Sequence, residues 1–169
     1  MIYPIVKYPN PVLARKADPV TEFNADLQKL VDDMFQSMYA AEGIGLAAPQ
    51  IGVSKRLFVV DTSLGKDLAQ KLVLINPEIV STEGRQVEEE GCLSLPDIRD
   101  KVSRAFRVTM RAQDAKGEWF ETDGDELLAR AFLHENDHLD GVLFIDRVSR
   151  LKRELILRRI GKLQKNGEW

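Results

Sequence analysis

The only two histidines in the 169-residue chain, His134 and His138, stand four positions apart. That spacing constrains the fold more than any other feature. Residues four apart on an α-helix lie about 40° from each other around the axis, so both imidazoles project from one face and can reach one ion. Leu133-His134-Glu135-Asn136-Asp137-His138-Leu139 therefore predicts a helix packed with its histidine face turned inward. A helical His-Glu-x-x-His is the pattern in which two imidazoles hold a metal while the intervening carboxylate handles the proton of a water molecule. The competing reading is a plain helix with incidental histidines. It is weakened because the chain carries no histidines except the two that the pattern needs.

A catalytic ion usually has three protein ligands and one open position, whereas a structural zinc is closed by four. Two His and one Cys are all the imidazole and thiol in the chain. A closed Cys/His site is therefore impossible without a carboxylate, and Cys92, as a thiolate, is the expected third ligand. Cys92 could instead be a buried, inert thiol, or a nucleophile paired with His134. The second of these leaves His138 without a task. A lone cysteine makes no internal disulfide, and the N-terminal segment, broken by Pro4, Pro9, Pro11 and Lys7, does not resemble a signal peptide. The expected compartment is the reducing cytoplasm. Apolar runs such as Leu57–Val60 and Leu72–Ile75 are far shorter than the roughly 18 residues a membrane span needs.

No repeat or linker-like tract divides the chain, so residues 1–169 are expected to form one catalytic domain. The proline-rich start should be extended, with at most one short helical turn. Asn24 is an expected N-cap for a helix carrying Leu27, Leu30, Val31, Met34 and Met38 to about Ala41. Strands are expected at Arg56–Asp61, Lys71–Pro77 with Ile79–Val80, Val102–Ala112 and Glu118–Thr122. A second helix should run from Asp123–Gly124 to about Leu139. A third, from about Ser149, should bury Leu151, Leu155, Ile156, Ile160 and Leu163. Helices and strands are segregated rather than alternating, which predicts an α+β fold. Its sheet should be antiparallel or mixed, and a C-terminal helix should come last.

Gly43-Ile44-Gly45-Leu46-Ala47-Ala48 formally matches a dinucleotide-binding fingerprint, with Asp61 at a suitable distance. Its context is wrong: that motif needs a strand before it and a helix after it, and here a helix precedes, a strand follows, and Pro49 interrupts. No nucleotide cofactor is expected. The segment reads instead as a loop whose glycines let main-chain groups approach a peptide-like ligand, with the Gln50 amide as a donor.

Three stretches, Gly43-Ile44-Gly45-Leu46-Ala47-Ala48-Pro49-Gln50, Glu90-Gly91-Cys92-Leu93-Ser94 and His134-Glu135-Asn136-Asp137-His138, resemble in order and spacing the three signature motifs of bacterial-type peptide deformylases. The resemblance covers essentially the whole chain, including a Pro-Asn-Pro-Val-Leu segment near its start. It implies an α+β fold with antiparallel or mixed β-sheets packed around a central metal-binding helix, and removal of the N-formyl group from the N-terminal formyl-methionine of nascent polypeptides, using a ferrous ion or nickel, zinc or cobalt in its place. It also implies that Cys92, His134 and His138 are the metal ligands and Glu135 the catalytic carboxylate. Gln50 and the Leu93 N–H fit the oxyanion-stabilising positions. Ile44, Gly45, Glu88, Arg99, Leu127, Arg130 and Ala131 fit positions that bind the peptide. Two of the pocket positions, Glu88 and Arg130, are charged, and an ion pair between them is expected to turn their aliphatic stems toward the pocket.

Two rival readings remain open at this stage. A zinc endopeptidase shares His-Glu-x-x-His but takes a third ligand downstream, where this chain has no His and only Glu154 and Glu168 as glutamates. A metal-stapled RNA-binding module would act through the C-terminal segment. Residues 147–169 hold eight Lys/Arg against Glu154 and Glu168, a net +6 in a chain of net charge -3. This basic helix and tail is either a solvated helix face or a contact for ribosomal RNA.

Overall fold

The computed structural model describes residues 1–169. Its first helix, α1 (Ala25–Ala40), starts where the Asn24 side chain accepts the Leu27 N–H, and it buries Leu27, Val31, Met34, Phe35 and Met38. The main sheet follows. It comprises β1 (Gly45–Ala47), β2 (Leu57–Val60), β3 (Leu72–Glu83), β6 (Arg107–Gln113) and β7 (Trp119–Asp125), in the antiparallel order β1-β2-β3-β6-β7. A separate two-stranded ribbon pairs β4 (Gln86–Cys92) with β5 (Leu95–Arg104).

The run Leu57-Phe58-Val59-Val60 is apolar without alternation because both faces of β2 are covered. Leu57 and Val59 join the α1 side chains, while Phe58 and Val60 pack with Ala129, Ala131, Phe132 and Leu139 of α2 (Glu126–Leu139). Helix α2 is thus held between the sheet on one side and β5 of the ribbon on the other. Ten of its fourteen residues are buried, among them His134, Glu135, Asp137 and His138. A third cluster joins Leu95, Ile98 and Val102 of the ribbon to Phe144, Ile145, Ile156 and Ile160, and so seats α3 (Arg150–Lys165).

The α+β class, the three helices and the single early turn at Pro11–Ala14 agree with the sequence reading. Several boundaries differ. The expected strand Val102–Ala112 is the end of β5 and most of β6, in different sheets, with the chain turning at Ala105–Phe106. Ribbon strand β4 went unread because Gln86-Val87-Glu88-Glu89-Glu90 has little apolar content and only Glu90 of these five is buried. Asp123–Gly124 ends β7 rather than opening α2. The expected loop at Gly43–Ala48 holds the edge strand β1, with Gly45 opposite Val60 and Ala47 opposite Phe58. On α3 only Ile156 and Ile160 are buried; Leu151 and Leu155 are exposed at 67% and 54% because the ribbon covers a single narrow stripe.

Candidate active site

A cavity of about 540 Å³ opens where β1, the β4–β5 turn and α2 meet, within the usual range for a small-ligand site. Cys92 and His134 line it, and behind them His138 Nε2 lies 3.2 Å from His134 Nε2 and 3.3 Å from Cys92 Sγ. The three donor atoms lie within 4.8 Å of one another. Such edges suit one tetrahedral ion with bonds of about 2.0–2.3 Å.

The donor chemistry fits as well. Glu90 Oε2 sits 2.6 Å from His134 Nδ1. A carboxylate there keeps the ring proton on Nδ1 and leaves the Nε2 lone pair pointing at the other two donors. Burial works to raise Glu90, but hydrogen bonds and charge from His134 and Arg104 outweigh it and hold the carboxyl well below its usual range. Burial also works against charge on His134, yet Glu135, Cys92 and Glu90 prevail and lift its pKa well above normal. Burial, with the His134 charge behind it, pushes His138 well below normal.

Glu135 is 4% exposed and its Oε1 has no hydrogen-bond partner. Burial raises its pKa to about 7, against the opposing charge of His134. That poises a carboxylate for proton transfer near neutrality. A Cβ at Gly45 would stand 2.5 Å from Glu135 Oε2, so the absence of a side chain on β1 is what makes room for this carboxylate.

Gln50, on the turn Ala48–Ile51, is 1% exposed. Its Oε1 accepts the Ala47 N–H at 3.0 Å, while Nε2 donates to Ser94 Oγ at 3.2 Å and faces Cys92 Sγ at 3.6 Å. These contacts fix which way the amide points. Ile44, Gly45, Leu93, Arg99, Leu127, Arg130 and Ala131 all line the cavity.

Glu88 does not, which corrects the sequence reading. It is exposed on β4 opposite Val102. Arg130 is paired instead with Glu90, Nη1 to Oε1 at 2.8 Å, and its Nη2 donates to the Val102 carbonyl at 2.9 Å. The buried carboxylate wins because a guanidinium that is itself buried needs a partner out of water. Sequence reasoning thus missed Glu90 together with Ser94, Arg104 and Asp137. Strand alternation puts Glu88 and Glu90 on the same side as Cys92 and so does not single out Glu90.

The fold and this site define a protein in which a cysteine and two histidines converge closely enough to hold one metal ion, beside a buried carboxylate at a cavity. The polypeptide deformylase family model matches residues 2–154. A peptide deformylase of Acidobacterium capsulatum is 70% identical over 169 residues, covering 100% of this chain and 99% of that protein. One of Thermodesulfovibrio yellowstonii is 54% identical over 154 residues, covering 91% and 93%. The crystal structure of a Legionella pneumophila peptide deformylase superposes with a TM-score of 0.92 at 46% identity, covering 99% and 98%. The chain belongs to the polypeptide deformylase family. It is a hydrolase that removes the N-formyl group from nascent polypeptides. The endopeptidase and RNA-binding-module readings find no support in these matches. No helix is long and apolar enough to cross a membrane.

Proposed function

We propose that residues 1–169 act as one catalytic domain in which Cys92, His134 and His138 hold a single divalent ion, ferrous iron in the cell, with nickel, zinc or cobalt able to replace it. Thiolate ligation softens the site, which suits iron(II) and also exposes it to oxidation. When bound, such an ion acidifies a water and polarises the formyl oxygen.

The chain's own groups carry the rest. Glu135 accepts the proton of the attacking water and returns it to the departing amine, so that formate and the free N-terminus leave. The Gln50 amide and the Leu93 N–H donate to the oxygen on which charge develops, each worth on the order of 3 kcal/mol. Ile44, Gly45 and Arg99 hold the peptide, and Leu127, Arg130 and Ala131, on successive turns of α2 before His134, receive the first side chain. The observation that carries this reading is the convergence of three donor atoms beside a buried, unpartnered carboxylate oxygen on Glu135.

The test is an anaerobic preparation assayed for metal content and for formate release from a formyl-methionyl peptide. Glu135→Ala should keep its metal and lose about 10²–10⁴ in turnover; normal turnover would overturn the role given to this residue. We further propose that the enzyme works in the cytoplasm and that the basic α3 contacts ribosomal RNA. The eight Lys/Arg of residues 147–169 against Glu154 and Glu168 support that reading. Removing residues 150–169 should weaken co-sedimentation with ribosomes in a salt-sensitive way, and unchanged binding would end the idea.

A further inference from the structure

The buried charges behind the three ligand atoms form a continuous ladder. Glu90 Oε2 meets His134 Nδ1, and the same carboxylate receives Arg104 Nε at 3.1 Å and Nη2 at 2.6 Å. Arg104 Nη1 then donates to Asp137 Oδ2 at 2.6 Å. Asp137 receives a second guanidinium, with Arg147 Nε on Oδ2 at 3.0 Å and Nη2 on Oδ1 at 2.7 Å. Glu90, His134, Arg104 and Asp137 have side chains at most 10% exposed, whereas Arg147 is 48% exposed. The ladder therefore runs from His134 to the surface, and its outer rung comes from the segment that leads into α3.

We propose that Arg147 is a positioning residue: by closing this ladder it fixes Asp137, Arg104 and Glu90, and through them the ring of His134. The proposal rests on the three-ligand reading given above. Arg147 is the only partner recorded for Asp137 Oδ1. Its loss leaves that oxygen unpaired at a site nearly closed to water, and the carboxylate must rotate or find solvent. Rotation pulls Oδ2 away from Arg104, which together with Arg130 sets the plane of the carboxylate that orients His134. Charged groups coupled in this way respond as a unit. The segment is stiff enough to impose the geometry. Asp146 Oδ2 accepts the Leu143 N–H across the turn Phe144–Asp146, and the Phe144 ring stacks 6.5 Å from the ring of His134.

A purely structural role, anchoring α3, is separated by Arg153. This residue ties α3 to the same turn through Asp146 at 3.2 Å without touching the ladder. Metal-loaded wild type, Arg147→Ala, Arg147→Lys and Arg153→Ala are mixed with excess chelator, and the rate of metal release is followed together with the thermal midpoint. Direct removal of a ligand's partner typically costs 10–100-fold in metal affinity, so from two links further out Arg147→Ala should release metal about fivefold faster. Arg147→Lys, reaching one oxygen rather than two, should fall between, and Arg153→Ala should match wild type. Release from Arg147→Ala at the wild-type rate, or equal acceleration by Arg153→Ala, would overturn the proposal. A wild-type protein that retains no ion would overturn the three-ligand reading, and this one with it.

Discussion

Gly45→Ala adds one methyl group to β1 and should disable the enzyme without unfolding it. The new Cβ would lie 2.5 Å from Glu135 Oε2, 3.0 Å from Cδ and 3.1 Å from Cγ. Ordinary contact begins near 3.4 Å, so the carboxylate must retreat by about 0.9 Å. The strand cannot give way instead, because Gly45 is paired with Val60, which is fully buried between two layers. Displacement of a reacting group by about 1 Å typically costs on the order of 10²-fold, or about 3 kcal/mol of barrier. The expected result is therefore a roughly hundredfold fall in kcat for formate release at saturating formyl-methionyl peptide. Metal content should be unchanged, since none of the three donor atoms is among the neighbours of the added methyl. Folding should not suffer, because alanine is less costly to order in a strand than glycine. A kcat within threefold of wild type would refute the claim that Gly45 exists to seat Glu135, and a rise in KM alone would assign it to peptide binding only.

Two further outcomes follow from the buried charges. Glu90→Gln removes the one negative charge that faces Arg104, Arg130 and His134 together. It should cost about 3–5 kcal/mol of stability and 10–100-fold in metal affinity, read by denaturant unfolding and chelator competition; an unaltered unfolding curve would contradict this. For Asp61, burial acts to raise the pKa, but hydrogen bonds from Ser63, Tyr39 and Gly65 prevail and hold it below 3.8. Its contribution to stability is therefore present above the unfolded value and fades as pH falls through the lower folded one. Asp61→Asn should lower the thermal midpoint at pH 7 by an amount that shrinks below about pH 4; a difference independent of pH would sink the assignment.

The three converging donors were legible because each rests on a local rule. His134 and His138 need only helical spacing, Glu135 only its place between them, and Cys92 only the poverty of the chain in other soft donors. The apolar period likewise marked α1, and β-branched content marked β2 and β3. What could not be read locally was charge pairing across the fold. Glu88 and Glu90 look equivalent in Glu88-Glu89-Glu90, yet one is exposed and the other buried. The difference is that α2 presents Arg130 and His134 to Glu90 from 40 and 44 positions away in sequence. The break at Ala105–Phe106 was hidden for a similar reason. Val102, Val108, Met110 and Ala112 are all buried apolar residues, and nothing in their spacing shows that Val102 packs with the ribbon and the others with the sheet.

That distribution explains why so polar a helix can be central. Helix α2 carries Arg130, His134, Glu135, Asp137 and His138 among its buried residues, a set that the hydrophobic effect alone would expel. It stays buried because the partners arrive from elements fixed for other reasons: Glu90 and Arg104 on a ribbon anchored by Leu95, Ile98 and Val102, and Arg147 after a turn anchored by Phe144 and Ile145. The apolar clusters supply the driving force, and the ionic ladder sets which rotation of α2 is allowed. A rotation by one residue, about 100°, would face the ribbon's carboxylate with Glu135 instead of His134, placing two negative groups together in a buried site. The same charges that orient the donors therefore also specify the register in which the histidine-bearing helix packs.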